Sequence, residues 1–170
     1  MMAPSHELRK DINGHIRERL EREGRIHGPA FQGQRLVSQG FTNAEKALPA
    51  NYAPGEVVSF HRQYKRIGIE KGDERRVVEV DPANGKVILE GPNGNLKKTV
   101  GWEPEKIGSR SGGAEVYKVE GIELRAGDRI YWTRNDRGLG LFNSRTAEVT
   151  GVKGGRVSFL LEDGRKLELE

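Results

Sequence analysis

Hydrophobic positions along the chain keep two different rhythms. Leu8, Ile12, Ile16 and Leu20 recur every fourth residue, which sets them along one side of a helix opened by Pro4 and Ser5 and stopped at Gly24. The rest of that segment is densely charged, with Arg9, Lys10, Arg17, Glu18, Arg19, Glu21, Arg22 and Glu23. So narrow a stripe is expected to pack against something, either in this chain or in a portion outside it, leaving the basic residues as a solvated face. Residues 25–40 carry Gly28-Pro29, Gly33 and Gly40 as breakers and are expected to be irregular. Thr42-Asn43-Ala44-Glu45 has capping-box spacing, which predicts a short helix ending near Leu48, before Pro49. After Pro54-Gly55 the rhythm changes to β structure, and no long helical period returns.

The β part repeats itself. Gly55-Glu56-Val57-Val58-Ser59-Phe60 is matched by Gly127-Asp128-Arg129-Ile130-Tyr131-Trp132, an offset of 72 (127 − 55). The same offset sets Arg62 on Arg134, Lys65 on Arg137, Ile67-Gly68-Ile69 on Leu139-Gly140-Leu141, and Val77 and Val80 on Val149 and Val152. After a slip of two residues, Lys86-Val87-Ile88-Leu89 falls on Arg156-Val157-Ser158-Phe159, and Asn93-Gly94 on Asp163-Gly164. Each copy reads as a strand, a long basic loop, and three further strands joined by turns rich in Asn, Asp and Gly.

The predicted fold is mainly β: tandem SH3-like small β-barrels preceded by a short helical N-terminal segment. The helical segment is expected over 1–54, the first barrel over 55–108 and the second over 122–170. Between them, 109–121 is expected to hold a mobile connection, Ser109-Arg110-Ser111-Gly112-Gly113, and a bridging strand, Val116-Tyr117-Lys118-Val119. Lys166 to Glu170 are still in strand pattern where the chain stops, which together with the orphan stripe reads as a piece cut from something larger.

Composition narrows the classes. With 34% hydrophobic and 32% charged residues, small units with thin cores fit better than one large core. The absence of cysteine excludes disulfides and zinc-thiolate sites and agrees with a cytosolic location. No apolar run nears the roughly 18 residues needed to cross a bilayer, so no membrane insertion is expected. A net charge of +4 and a pI of 9.4 lean mildly toward polyanionic partners.

Catalytic signals are poor. There is no P-loop sequence, and His6, His15, His27 and His61 lack metal-ligand spacing, so no catalytic residue and no metal site is predicted. Glu70, Asp73 and Glu74 read as a charged loop face, and Trp102 and Trp132 as core. The basic loops are the candidates. In the first, Arg62, Lys65 and Arg66 surround Tyr64, which offers phosphate contacts beside a stacking surface. In the second, Arg134, Asn135 and Arg137 occupy the matching stretch, with Leu139, Leu141 and Phe142 as anchors and Tyr131 as a weaker stacking candidate. The competing reading makes both loops solvated faces, with Arg134 and Asp136 paired locally, or makes the second a domain-docking surface.

Thr133-Arg134-Asn135-Asp136, followed by Leu139-Gly140-Leu141-Phe142-Asn143, resembles a pattern of superfamily 1B helicases. It is found in the exonuclease V alpha-subunit type and in conjugative relaxase-helicases of the TraI/TrwC type, where it lies in an SH3-like insertion called the 2B subdomain. Ala3-Pro4-Ser5-His6-Glu7-Leu8-Arg9, Ile12-Asn13, the segment from Thr42 through Tyr52, and Tyr64-Lys65-Arg66 are similar to the conjugative branch. The resemblance covers nearly the whole chain.

It implies a non-catalytic fragment of a conjugative relaxase and DNA helicase that contacts single-stranded DNA and positions it for the motor, in the bacterial cytoplasm. The parent would use ATP and Mg2+, whereas this chain lacks the nicking residues and ATP-binding motifs and needs no cofactor itself. The implied partners are single-stranded DNA, the remainder of the relaxase-helicase and, in the alternative reading of the chain as a translocation signal, the type IV secretion coupling protein. Ser144-Arg145 stand where exonuclease-type members carry glycine after the Asn, a departure from that branch.

Overall fold

The computed structural model describes residues 6–107, 113–136 and 138–170. Besides short 3-10 turns, two α-helices and ten strands account for the regular structure there: α1 (His6–Arg22), β1 (His27–Ser38), α2 (Asn43–Ala47), β2 (Val57–Phe60), β3 (Glu74–Asp81), β4 (Lys86–Leu89), β5 (Val100–Trp102), β6 (Ala114–Ala126), β7 (Arg129–Tyr131), β8 (Thr146–Lys153), β9 (Arg156–Leu161) and β10 (Lys166–Leu169). The protein is mainly β, as its pattern predicts. The strands form two antiparallel sheets, ordered β1-β6-β2-β3-β4-β5 and β10-β9-β8-β7.

No closed barrel is found among the described residues, so the mainly β class holds and the expected SH3-like barrels are not confirmed. The reason lies at β2 in the first sheet. One side of β2 pairs with β3 and the other with β6, through Val57↔Tyr117 and Val58↔Val116. With both edges of β2 taken, β5 cannot close the sheet onto it. In the second sheet β7 and β10 are short edge strands of three and four residues, each with one neighbour.

The chain divides into two compact units, residues 34–121 and residues 1–33 together with 122–170. The boundary falls inside β1, at Gly33/Gln34, and inside β6, at Gly121/Ile122. The first unit holds the first repeat copy. Its core is Tyr52, Val58, Phe60, Ile69, Val77, Val87, Leu89, Trp102, Ala114 and Val116. Phe60 sits at its centre with no exposed surface, edge-on to Trp102 at 5.1 Å between ring centroids. The second unit packs Leu124, Leu141, Ala147, Val149, Val157, Phe159 and Leu161. The repeat explains both lists: Ile69 and Leu141, Val77 and Val149, Val87 and Val157, and Leu89 and Phe159 fill equivalent places. Each such buried side chain contributes about 1.5–3 kcal/mol of apolar transfer.

Three local expectations meet the structure differently. Thr42 caps α2 as its spacing predicts: Glu45 N donates to Thr42 Oγ1 at 3.3 Å while Thr42 N donates to Glu45 Oε2 at 2.7 Å. Residues 25–40, expected to be irregular, instead contain the twelve-residue strand β1. Pairing with β6 overrides the local breakers, and Pro29 is tolerated because β1 lies at a sheet edge.

Most of the apolar stripe of α1 finds no cover among the described residues, since Leu8, Ile12 and Ile16 are 50%, 45% and 51% exposed. A spacing of four drifts by about 40° per step, so only Leu20 reaches the packed side. The helix is held there by a charge. Arg17 donates to Glu123 O at 3.0 Å and to Asp128 Oδ1 at 3.0 Å. Two calls, the helix opening at Pro4-Ser5 and the connection at Ser109–Gly112, lie outside the described residues.

Candidate nucleic-acid interface

Both candidate loops hang from one frame, built twice. Gly55 N donates to Val77 O and Gly127 N to Val149 O, each at 2.8 Å. At the loop mouths, Gly72 N donates to Phe60 O and Ser144 N to Trp132 O, each at 2.7 Å. Inside the loops, an isolated bridge joins Tyr64 to Ile69 and its counterpart joins Asp136 to Leu141. The reversal between the bridged residues requires a left-handed residue, supplied by Gly68 at φ 65° and Gly140 at φ 64°. The same bulge interrupts both ladders beyond the loop, at Val77/Glu79 and at Val149/Gly151. An offset seen in the letters is thus an offset in hydrogen bonds.

The first loop presents charge. Arg62, Lys65, Arg66 and Lys71 are all exposed. Among the described residues none of the four has a carboxylate within ion-pair distance. Lys65 and Arg66 lie on a single 3-10 turn, Lys65–Ile67, ended by Gly68. The acids in the loop are engaged elsewhere: Glu70 accepts from Gln63 Nε2, and Asp73 Oδ2 accepts from Glu70 N at 3.1 Å. Tyr64 is half-buried, its ring edge-on to Phe60 at 5.6 Å, and burial raises its phenol pKa against a lowering pull from Arg62. Its ring is therefore part of the core wall.

Behind this loop lies a shallow groove lined by Gly68, Glu70, Asp73, Glu74, Arg75 and the Pro92–Gly94 turn. Arg75 is buried and donates through Nη2 to Asp73 Oδ2 at 2.6 Å, while its Nη1 has no partner among the described residues. Burial pushes the Asp73 carboxyl up, but hydrogen bonds from Arg75 and the Glu70 amide, with the Arg75 charge, hold it below its ordinary value. The second copy has Ala147 in place of Arg75, so this buried cation belongs to the first copy alone.

The second loop presents apolar surface. Of the three expected anchors only Leu141 is buried, with no exposed area, whereas Leu139 and Phe142 are 38% and 52% exposed. The bridge to Asp136 explains this, because it turns Leu141 inward and leaves its neighbours outside. Arg134 is half-buried. Asn135 is exposed, and its Oδ1 accepts from Asn143 N at 2.7 Å, which uses its carbonyl to brace the loop. Asp136 Oδ1 accepts from Leu139 N at 3.0 Å. Arg137 lies outside the described residues.

Arg62, Lys65 and Arg66 are thus brought together on one short loop, and Arg134 and Asn135 on its counterpart. Sequence reasoning passed over Lys71, although it completes the same basic run. It also passed over Arg165, whose Nη2 donates to Gly140 O at 3.1 Å and holds the second loop from β10's side of the sheet. Nothing in the local sequence could reveal that contact, which spans 25 residues. Among the described residues no group of His, Asp and Glu side chains could hold a metal ion, and no helix is long and apolar enough to cross a membrane. No protein-family model matches the chain, and none of the curated proteins matches it either.

Proposed function

We propose that this chain is a non-catalytic part of a conjugative relaxase-helicase, built on two SH3-like units, that contacts single-stranded DNA and positions it for a motor elsewhere in the enzyme. The observation that carries the reading is the first loop, where the exposed Arg62, Lys65, Arg66 and Lys71 sit on a hydrogen-bonded frame with no carboxylate partner among the described residues. Unneutralised cations on a held loop suit phosphates, because each contact releases a condensed counterion without first breaking an internal ion pair. The setting would be the bacterial cytoplasm, with ATP and Mg2+ used only by the parent's motor.

Fluorescence anisotropy with a labelled single-stranded oligonucleotide tests this. Affinity is expected to fall between about 50 and 200 mM salt with a log–log slope near −0.7 per phosphate contacted. Replacing the four cations by alanine is expected to flatten that slope. Absence of binding at low salt by protein shown to be folded would refute the DNA role.

A second reading, a module docking on the rest of the enzyme or on the type IV secretion coupling protein, is favoured by the exposure of Ile12 and Ile16 on α1. It predicts binding to those proteins that ignores oligonucleotides.

A further inference from the structure

The repeat supplies an internal control for what the fold requires at each position. Tyr131 occupies the place of Ser59, Phe142 that of Glu70, and Leu139 that of Ile67, all at the offset of 72 (131 − 59). The first copy builds the same bridge, the same left-handed glycine and the same bulge with those other residues. It buries Ser59, turns the charged Glu70 outward and packs Ile67 against its core. The second copy holds Tyr131 at 63% exposure and Phe142 at 52%. The frame therefore does not call for aromatic rings there, and β7, unlike β2, has no second neighbouring strand to cover Tyr131.

Their position is defined by the backbone. Tyr131 ends β7, and the next residue, Trp132, exchanges hydrogen bonds with Ser144 and Arg145, just beyond Phe142. Arg129 shares the outer face of β7 with Tyr131, is exposed, and forms no ion pair among the described residues. Glu148 is its cross-strand neighbour, yet the two are not within ion-pair distance. Tyr131, on the same strand face as a guanidinium without an ion pair among the described residues, with the exposed ring of Phe142 on the adjoining loop, matches the two needs of an unpaired strand, a flat apolar surface for its bases and a cation for its backbone. Duplex DNA keeps its base faces stacked and could use only the cation.

On these grounds, and resting on the DNA-contact reading above, we infer that Tyr131 and Phe142 are a stacking site for the unpaired bases of single-stranded DNA, with Arg129 set for an adjacent phosphate. The two copies then divide the work. The first grips the backbone by charge, and the second takes hold of bases.

The test uses the full chain and two labelled probes of about 15 nucleotides, an oligothymidylate and an equally long chain of abasic sites, at low salt. Wild-type protein is expected to favour the oligothymidylate by about 5- to 100-fold, the range that one stacked base supplies. The double variant Tyr131→Ser, Phe142→Gln is expected to bind both probes as weakly as wild type binds the abasic one. Serine is the residue the first copy carries at that position, so the variant is compatible with the frame; circular dichroism checks its folding. The conservative pair Tyr131→Phe, Phe142→Trp is expected to keep the preference. Equal wild-type affinity for the two probes overturns the stacking site and leaves the DNA-contact reading standing. Retention of the preference by the double variant does the same. Failure of wild type to bind either probe removes both readings together. Loss of self-association in the double variant, with oligothymidylate binding unchanged, overturns the stacking site in favour of a protein partner.

Discussion

Residues 61–72 and 133–144 share a frame and differ in what they present to solvent. The first loop shows four cations and tucks its aromatic ring, Tyr64, against Phe60. The second shows Leu139 and Phe142 and is braced from within by Asn135 and Asp136 and from outside by Arg165. Beneath the loops the contrast reverses. The first copy buries a cation, Arg75, where the second buries Ala147. A repeated backbone thus restricts side chains only where it needs a turn or a core contact. The remaining positions are free to diverge, and divergence there is where function is to be sought.

The comparison breaks most visibly at the cores. Phe60→Ala is expected to cost about 3–5 kcal/mol, because a ring with no exposed surface leaves a cavity behind. Trp132→Ala at the equivalent but half-buried place is expected to cost less, although the ring there also packs edge-on, against Phe159 at 5.8 Å. Urea unfolding of the two variants checks the order, and equal losses would deny that the first copy is the better packed.

Next come the charges at the offset pair Asp73 and Arg145. Asp73→Ala leaves the buried Arg75 guanidinium without its counter-ion and is expected to cost about 3 kcal/mol. Arg145→Ala breaks only the half-exposed pair with Glu162, with an expected loss under about 1 kcal/mol. Acid sharpens the same contrast. The folded Asp73 carboxyl titrates below its ordinary range, so its contribution is present above the ordinary carboxylate pKa and is lost as pH falls through the folded pKa. Wild type should therefore lose more stability than Asp73→Ala between about pH 5 and pH 2, measured by denaturant midpoints at each pH. Parallel acid curves for the two proteins would show that the pair adds nothing.

The smallest effect concerns the backbone at the loop exits. Gly72 has φ 93°, and its counterpart Ser144 sits at φ 68°, a region that costs an L residue about 1 kcal/mol or slightly more. Ser144→Gly is expected to raise stability by about 0.5–1 kcal/mol, part of the gain being offset by the freer unfolded chain. Gly72→Ser should lower it by a similar amount. Thermal melting of the reciprocal pair reads both signs, and a destabilised Ser144→Gly would mean that the serine side chain holds the loop.

Much of this was legible in the letters, for local reasons. The Thr42–Glu45 cap needs only four residues and formed as read. The offset of 72 located both loops, because glycines, alternation and turn residues recur wherever the same hydrogen bonds must be made. Of the candidate contacts, Arg62, Lys65 and Arg66 were found because a basic run within a loop has few places to go but outward. What escaped the letters were facts about neighbours. Phe142 and Leu139 read as anchors beside Leu141, and only the Asp136–Leu141 bridge decides which of the three turns inward.

The sequence by itself determined the β character, the two copies and the positions of their turns, since each depends on contacts within a hairpin or a cap. Tertiary structure alone decided that residues 27–38 become a strand, that β6 takes the edge β5 would need for closure, and that Arg17 rather than the isoleucine stripe holds α1. Those outcomes turn on which distant segment satisfies a backbone edge or a buried charge. Hydrophobic rhythm records that a residue is apolar, but carries no information on which surface arrives to cover it.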